Sequence, residues 1–246
     1  MKQRAILVTL VIFALLACAA CRSSRGVPRS DSVVVPPSEV VDFHLLYGQN
    51  CAGCHGVDGN GGAAIAVANP VFLAIADDTV IRRIASNGVP GTPMPAFAQS
   101  AGGMLTDKQI DAIVHGIRFW AKPNALRDTT PPPYAAPAPG DAQRGAHAYR
   151  TYCSSCHGAD GHGGNKASSI VDGSYLALVS DQQLRTIVIA GRPELGAPDW
   201  RGDLEGQPIS PQEISDVVAW LSSQRPKFPG QPYATASTNP ANGGSR

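Results

Sequence analysis

The 246-residue chain predicts an all-α fold made of two tandem helical units, on three observations. A Cys-x-x-Cys-His pentad occurs twice, as Cys51-Ala-Gly-Cys54-His55 and Cys153-Ser-Ser-Cys156-His157, 102 positions apart. A Gly-x-Asp-Gly-x-Gly-Gly run follows each pentad, at Gly56 to Gly62 and Gly158 to Gly164. Apolar residues recur at spacings of three and four, and no segment sustains the two-residue alternation of a half-buried strand, so almost no sheet is expected.

The repeat extends well past the pentads and therefore carries the architecture. Tyr47 and Tyr149 each lie four residues before the first cysteine. With one residue of drift, Leu73, Arg82, Gly88, Met94 and Pro95 align with Leu176, Arg185, Gly191, Ala197 and Pro198. A second residue of drift aligns Leu105-Thr106 with Ile209-Ser210, and Ile110, Ile113, Val114 and Ile117 with Ile214, Val217, Val218 and Leu221.

Each unit reads as three to four helices around a loop-rich middle. A first helix spans about Val40 to Tyr47 and Ala142 to Tyr149, ending against the cysteines. A short middle helix follows Asp77 and Asp181. The last helix is the clearest: Thr106-x-x-Gln109 and Ser210-x-x-Glu213 are capping boxes, and Pro211 suits a first helical position. Phe43 aligns with Gly145 in the first helix, and Gly116 with Trp220 in the last. If those helices cross there, each unit sets one large ring against one glycine, in opposite senses, which conserves volume.

Residues 38–122 and 141–228 are the two units. A proline-rich link at 123–140, including Pro131-Pro132-Pro133, should be extended and semi-rigid. Residues 22–37 form a flexible leader and 229–246 a disordered tail, both of low apolar content. Residues 1–21 read as a signal segment, with Lys2 and Arg4 before an apolar stretch from Ala5 to Ala20. Leu15-Leu16-Ala17-Cys18 resembles a lipobox, with Cys21 as the competing lipid acceptor. Export to the periplasmic side of a bacterial membrane is the expectation. The near-balanced charge gives no sign of nucleic acid binding. Units of about ninety residues are marginal as purely side-chain cores.

A Cys-x-x-Cys-His pentad takes both vinyl groups of one haem as thioethers and offers the following imidazole to the iron. Cys51, Cys54, Cys153 and Cys156 are thus expected to attach two haem c groups, with His55 and His157 as iron ligands. One zinc site built from four cysteines, or a redox disulfide, leaves the histidines or the repeat unexplained.

Together the pentads, glycine runs, terminal helices and the Gly88-to-Pro95 segment resemble the class I c-type cytochromes, in a diheme form with tandem domains. The resemblance implies an all-α fold wrapped around covalent haem, single-electron transfer, and methionine opposite histidine on the iron. Gly91-Thr92-Pro93-Met94-Pro95 matches the family's sixth-ligand loop, 39 residues after His55. Met104, just before the last helix, is the rival, with core packing as its other reading. The second unit departs from the pattern: Ala197 stands where methionine would be, and no methionine follows Met104. Its iron would be open or water-bound, take a nitrogen from Lys166 or His162, or take a partner's ligand; His147 should face solvent or packing.

Arg82 and Arg185 would meet haem propionates or solvent. His44 and His115 should be exposed or packed, and Trp120, Trp200 and Trp220 should make core or haem-edge contacts. No nucleophile–base pair, phosphate loop or dinucleotide fingerprint is evident. The expected partners are redox proteins: a quinol-oxidising complex on one side, a soluble cytochrome or terminal oxidase on the other. A haem enzyme acting on peroxide or a small oxide, or a gas sensor, is the alternative offered by the methionine-less second site.

Overall fold

The computed structural model describes residues 35–227, apart from 123, 124, 127, 128, 203 and 205. The signal segment with Cys18 and Cys21, nearly all of the leader, and the tail lie outside the described residues. Ten α-helices occur among the described residues, and pairing between extended segments is confined to isolated bridges such as Ala98 with Leu105. No helix among them is long and apolar enough to cross a membrane.

The helices form two sets of five in the same order. The first helix is α1 (Phe43–Asn50) in one half and α6 (Ala142–Tyr152) in the other. Asp42 and Asp141 cap them by accepting from the Leu45 and Arg144 N–H groups. The capping aspartate starts α1 three residues later than the apolar pattern suggests. Each helix runs into a single turn made by the pentad itself, α2 (Ala52–His55) and α7 (Ser154–His157).

A short helix then enters the loop-rich middle, α3 (Pro70–Ile75) and α8 (Gly173–Leu178). Its signal was local: Asn69 before Pro70 is a cap followed by the residue best suited to a first position, and Asp172 caps its counterpart. The middle helices are α4 (Asp78–Asn87) and α9 (Asp181–Ala190). Asp77 caps α4 as expected, whereas Ser180 caps α9 and Asp181 is already inside it. The last helices, α5 (Asp107–Arg118) and α10 (Pro211–Ser223), carry both capping boxes.

The expected pairing of ring with glycine holds in the first half only. A Cβ on Gly116 would lie 2.0 Å from the Phe43 ring, so α5 meets α1 with ring against glycine. In the other half a Cβ on Gly145 would lie 1.9 Å from the Asp216 carbonyl oxygen and 2.8 Å from Trp220 Cβ. There α6 and α10 touch nearly backbone to backbone. The indoles of Trp120 and Trp220 end at equivalent places, against Gly59 and Gly161. They reach them from positions that do not align: Trp120 lies just past α5, Trp220 within α10. Trp120 meets Tyr47 edge-on at 5.0 Å, and Trp220 stacks on Tyr149 at 4.3 Å.

One arginine in each half bolts the last helix to the middle. Arg118 donates to the Leu73 and Ala76 carbonyls and pairs with Asp78. Arg225 donates to the Leu176 and Val179 carbonyls and pairs with Asp181. Each satisfies the orphan carbonyls at the end of α3 or α8. Their positions differ by a helical turn in the alignment, which hides the correspondence.

The two halves share an interior. Ile189, Ala190, Trp200, Ile209 and Ile214 belong to one buried cluster with Leu46, Phe72, Leu73, Ile110 and Ile113. Asn69 Nδ2 donates to the Ala190 carbonyl at 3.0 Å across that contact, fully buried. The proline-rich link is tied down at Pro133 and Tyr134. Arg185, 2 % exposed, donates to the Pro133 and Tyr134 carbonyls, and Gln182 also donates to Tyr134.

Candidate haem sites

Each site starts from one helical turn. The His55 N–H donates to the Cys51 carbonyl at 3.0 Å, and the His157 N–H to that of Cys153 at the same distance. The turn brings both cysteines and the histidine to one side. Tyr47 and Tyr149 donate their hydroxyls to the Gly56 and Gly158 carbonyls, so each first helix holds the glycine run that follows its pentad.

The two histidines are oriented alike. His55 Nδ1 lies 2.8 Å from the Ile65 carbonyl, and His157 Nδ1 lies 2.8 Å from the Ser168 carbonyl. Donation from Nδ1 fixes the tautomer and leaves Nε2 as the nitrogen with a lone pair to offer a metal. Burial holds the His55 imidazole below its usual value, which favours the neutral ring that an iron needs. Burial, then the neighbouring thiol, pushes Cys51 and Cys153 up to about 11. The four cysteines are unpaired. Among the described residues no three His, Cys, Asp or Glu side chains converge as a metal site. One zinc site built from both pentads therefore does not fit, whereas a thiol pair with an oriented imidazole in each half fits a haem.

The loop after each middle helix closes in the same way. Val89 N–H donates to the Met94 carbonyl, and Arg192 N–H to the Ala197 carbonyl, each at 3.0 Å. Gly88 and Gly191 both take φ of +66°. A Cβ at Gly88 would lie 2.6 Å from the Met94 carbonyl oxygen, and one at Gly191 would lie 2.5 Å from that of Pro198. Only glycine allows the loop to fold back so closely. Met94 and Ala197 thus hold equivalent places, and Met94 is half-buried. Thr92, which the sequence did not single out, braces the methionine: its hydroxyl donates to the Val89 carbonyl and accepts from the Met94 N–H.

The other residues singled out divide: His44, His115, His147 and Trp200 stand as expected, and others do not. Met104 is 82 % exposed and packs in no core. Lys166 and His162 are exposed on the loop between His157 and Ser168, the one that cradles the His157 ring. His44, His115 and His147 are exposed. Arg82 turns to Asp107 and Asp111 on α5. Arg185 does not face solvent; it holds the link. Trp200 is buried in the shared cluster.

Comparison with known proteins agrees with this geometry. The family model described as cytochrome c oxidase, cbb3-type, subunit III matches twice in tandem, at residues 40–115 and 140–221. Cytochrome bc1 complex cytochrome c subunits of Mycobacterium bovis and Mycobacterium tuberculosis are 24 % identical over 181 residues, 72 % of this chain. The chain spans 60 % of the length of those relatives. Among solved structures, a reducing HAO-like protein complex of Kuenenia stuttgartiensis aligns at TM-score 0.43 and 19 % identity, over 78 % of this chain and all of that one. Thiosulfate dehydrogenase of Marichromatium purpuratum aligns at 0.29 and 22 %, over 88 % of this chain and 53 % of that one. Neither structural likeness is close enough to carry an argument. The double family match extends over more than half of the chain and brackets both pentads, so the protein belongs to the cytochrome c oxidase, cbb3-type, subunit III family and is built of cytochrome c domains, which hold haem c covalently.

Proposed function

We propose that the chain is an exported diheme c-type cytochrome that passes single electrons between respiratory partners. The carrying observation is the twofold arrangement of paired cysteines with a histidine whose Nδ1 is tied to a carbonyl 2.8 Å away. Residues 38–122 would enclose one haem through Cys51 and Cys54, and residues 141–228 the other through Cys153 and Cys156. His55 and His157 would bind iron from one side. Met94 would complete the first site, with Thr92 holding its backbone. A bound haem supplies reversible one-electron chemistry, and thioether ligation raises its potential. Rigid ligand loops limit the rearrangement accompanying that change.

The similarity to cytochrome bc1 complex subunits supports a place beside a quinol-oxidising complex, delivering to a soluble cytochrome or terminal oxidase. A lipid anchor at Cys18 or Cys21 would hold the protein at the periplasmic membrane face. Pyridine haemochrome analysis, expected to count two haems, and a redox titration followed by electron paramagnetic resonance test this reading. One haem per chain would overturn it.

A second reading concerns the second site alone. Ala197 occupies the Met94 position, and Lys166 and His162 sit on the loop around the His157 ring. An open iron face would bind small ligands, which suits peroxide or small-oxide reduction or gas sensing. Carbon monoxide binding to the reduced protein, with or without turnover of hydrogen peroxide by a reduced donor, separates carrier, enzyme and sensor.

A further inference from the structure

One contact between the halves is made by a charged side chain that no sequence pattern marks. Arg192 opens the loop equivalent to that of Met94, and its side chain is 13 % exposed. Its Nη2 donates to the Gly62 carbonyl of the first half at 2.8 Å. Its Nε pairs with Glu194 inside its own loop. Its backbone exchanges two hydrogen bonds of 3.0 Å with Ala197. Gly62 in turn lies on the first attachment turn, since a Cβ there would sit 2.1 Å from the Cys54 carbonyl oxygen. The guanidinium also lies close enough to Tyr175 on α8 to favour its phenolate, although burial outweighs it and raises that hydroxyl. One planar, multiply donating group thus ties the loop of the second site to the turn that carries the first.

We propose that Arg192 is a clamp: by anchoring loop 191–198 to Gly62 it holds that loop closed over the sixth-ligand side of the second haem, and so sets the access of small neutral ligands to that iron. The inference rests on the two-haem reading and adds to it the residue that controls entry. In the first site a thioether on the iron would itself hold the loop down. In the second, Ala197 has no donor to offer, so protein contacts alone must keep the loop shut. Arg192 is a positioning residue in this scheme and touches no ligand itself.

The test is carbon monoxide association with the reduced full chain, followed by flash photolysis, in wild type, Arg192→Ala, Arg192→Lys and Asn69→Ser. Removing the guanidinium should speed association by about tenfold or more, as expected when a charge-assisted hydrogen bond that holds a barrier is lost. Lysine, keeping a donor for the Gly62 carbonyl, should fall between. Asn69→Ser keeps a helix cap but loses the reach to Ala190, the residue before the loop, loosening the halves without touching the Arg192 contact; its rate should stay near wild type. The methionine–iron band of the ferric first haem should be unchanged in all, showing an intact first site. Binding that appears only in Arg192→Ala would also support the clamp. Equal rates in wild type and Arg192→Ala, or an equal rise in Asn69→Ser, would overturn it. No binding in any variant, with two haems counted, would overturn both the clamp and the open face; a count of one haem would fell the two-haem reading itself.

Discussion

At the scale of single residues, Met94 of the first loop stands where Ala197 stands in the second. Met94 and Ala197 sit behind the same 3.0 Å backbone hydrogen bond and the same positive-φ glycine. The backbone closure therefore does not depend on which of the two side chains stands there, and if Met94 is the ligand proposed above, exchange of the side chain should exchange the properties. Met94→Ala should abolish the methionine–iron band of the ferric protein, lower the first potential, and create a second carbon monoxide-binding iron. Ala197→Met should remove carbon monoxide binding at the second site and raise its potential. Absorption spectra and redox titration of the two variants check both outcomes. Thr92→Val, which removes the hydroxyl between Val89 and Met94, should weaken the methionine band without removing it.

At the scale of helices, the crossing of first and last helix decides which changes are tolerated. The three atoms nearest a methyl on Gly116 all belong to the Phe43 ring, the first at 2.0 Å, and a side chain can move. A methyl on Gly145 meets the Asp216 carbonyl oxygen at 1.9 Å, and backbone cannot yield without parting the helices. Gly116→Ala should cost about 1–3 kcal/mol, the range for overpacking, and Phe43→Leu should recover part of it. Gly145→Ala should cost more than Gly116→Ala, and no substitution at Trp220 should rescue it; denaturant titration measures both. The Phe43–Gly116 contact is legible in the sequence because ring and glycine trade places in the aligned repeat, whereas the backbone contact at Gly145 is not. The capping boxes are legible because their partners lie three residues apart. The arginine bolts are not, since Arg118 and Arg225 reach equivalent carbonyls from positions a turn out of register. The candidate sites divide in the same way. Chemistry that needs adjacent residues, the Cys-x-x-Cys-His pentads, stands out in the chain. The Ile65 and Ser168 carbonyls that orient the histidines do not, because any residue supplies a carbonyl.

At the scale of the whole molecule, the shared interior predicts shared stability. Asp216 lies where the second half begins, its side chain 4 % exposed. It accepts from Arg144 Nε and Nη2 at 2.8 Å each, from the Asp141 N–H at 2.7 Å, and from Gln212 at 3.0 Å. Those bonds, the Arg144 pair foremost, outweigh burial and hold its carboxyl below the usual carboxylate range. A depressed folded-state pKa means that the ion contributes its full stabilisation above the unfolded value of about 4, and loses it as pH falls through the folded one. Acid should therefore loosen the α6–α10 pair. Because Ile189, Trp200 and Ile214 of that half are packed into the cluster that also contains Leu46 and Ile110, the loss should not stay local. Acid titration followed separately at the methionine–iron band of the first haem and at the carbon monoxide complex of the second should give coincident transitions. Asp216→Asn should make both shallower in pH together, at lower stability near neutrality. A first-site signal that persists while the second melts would mean that the halves are energetically independent despite their common core.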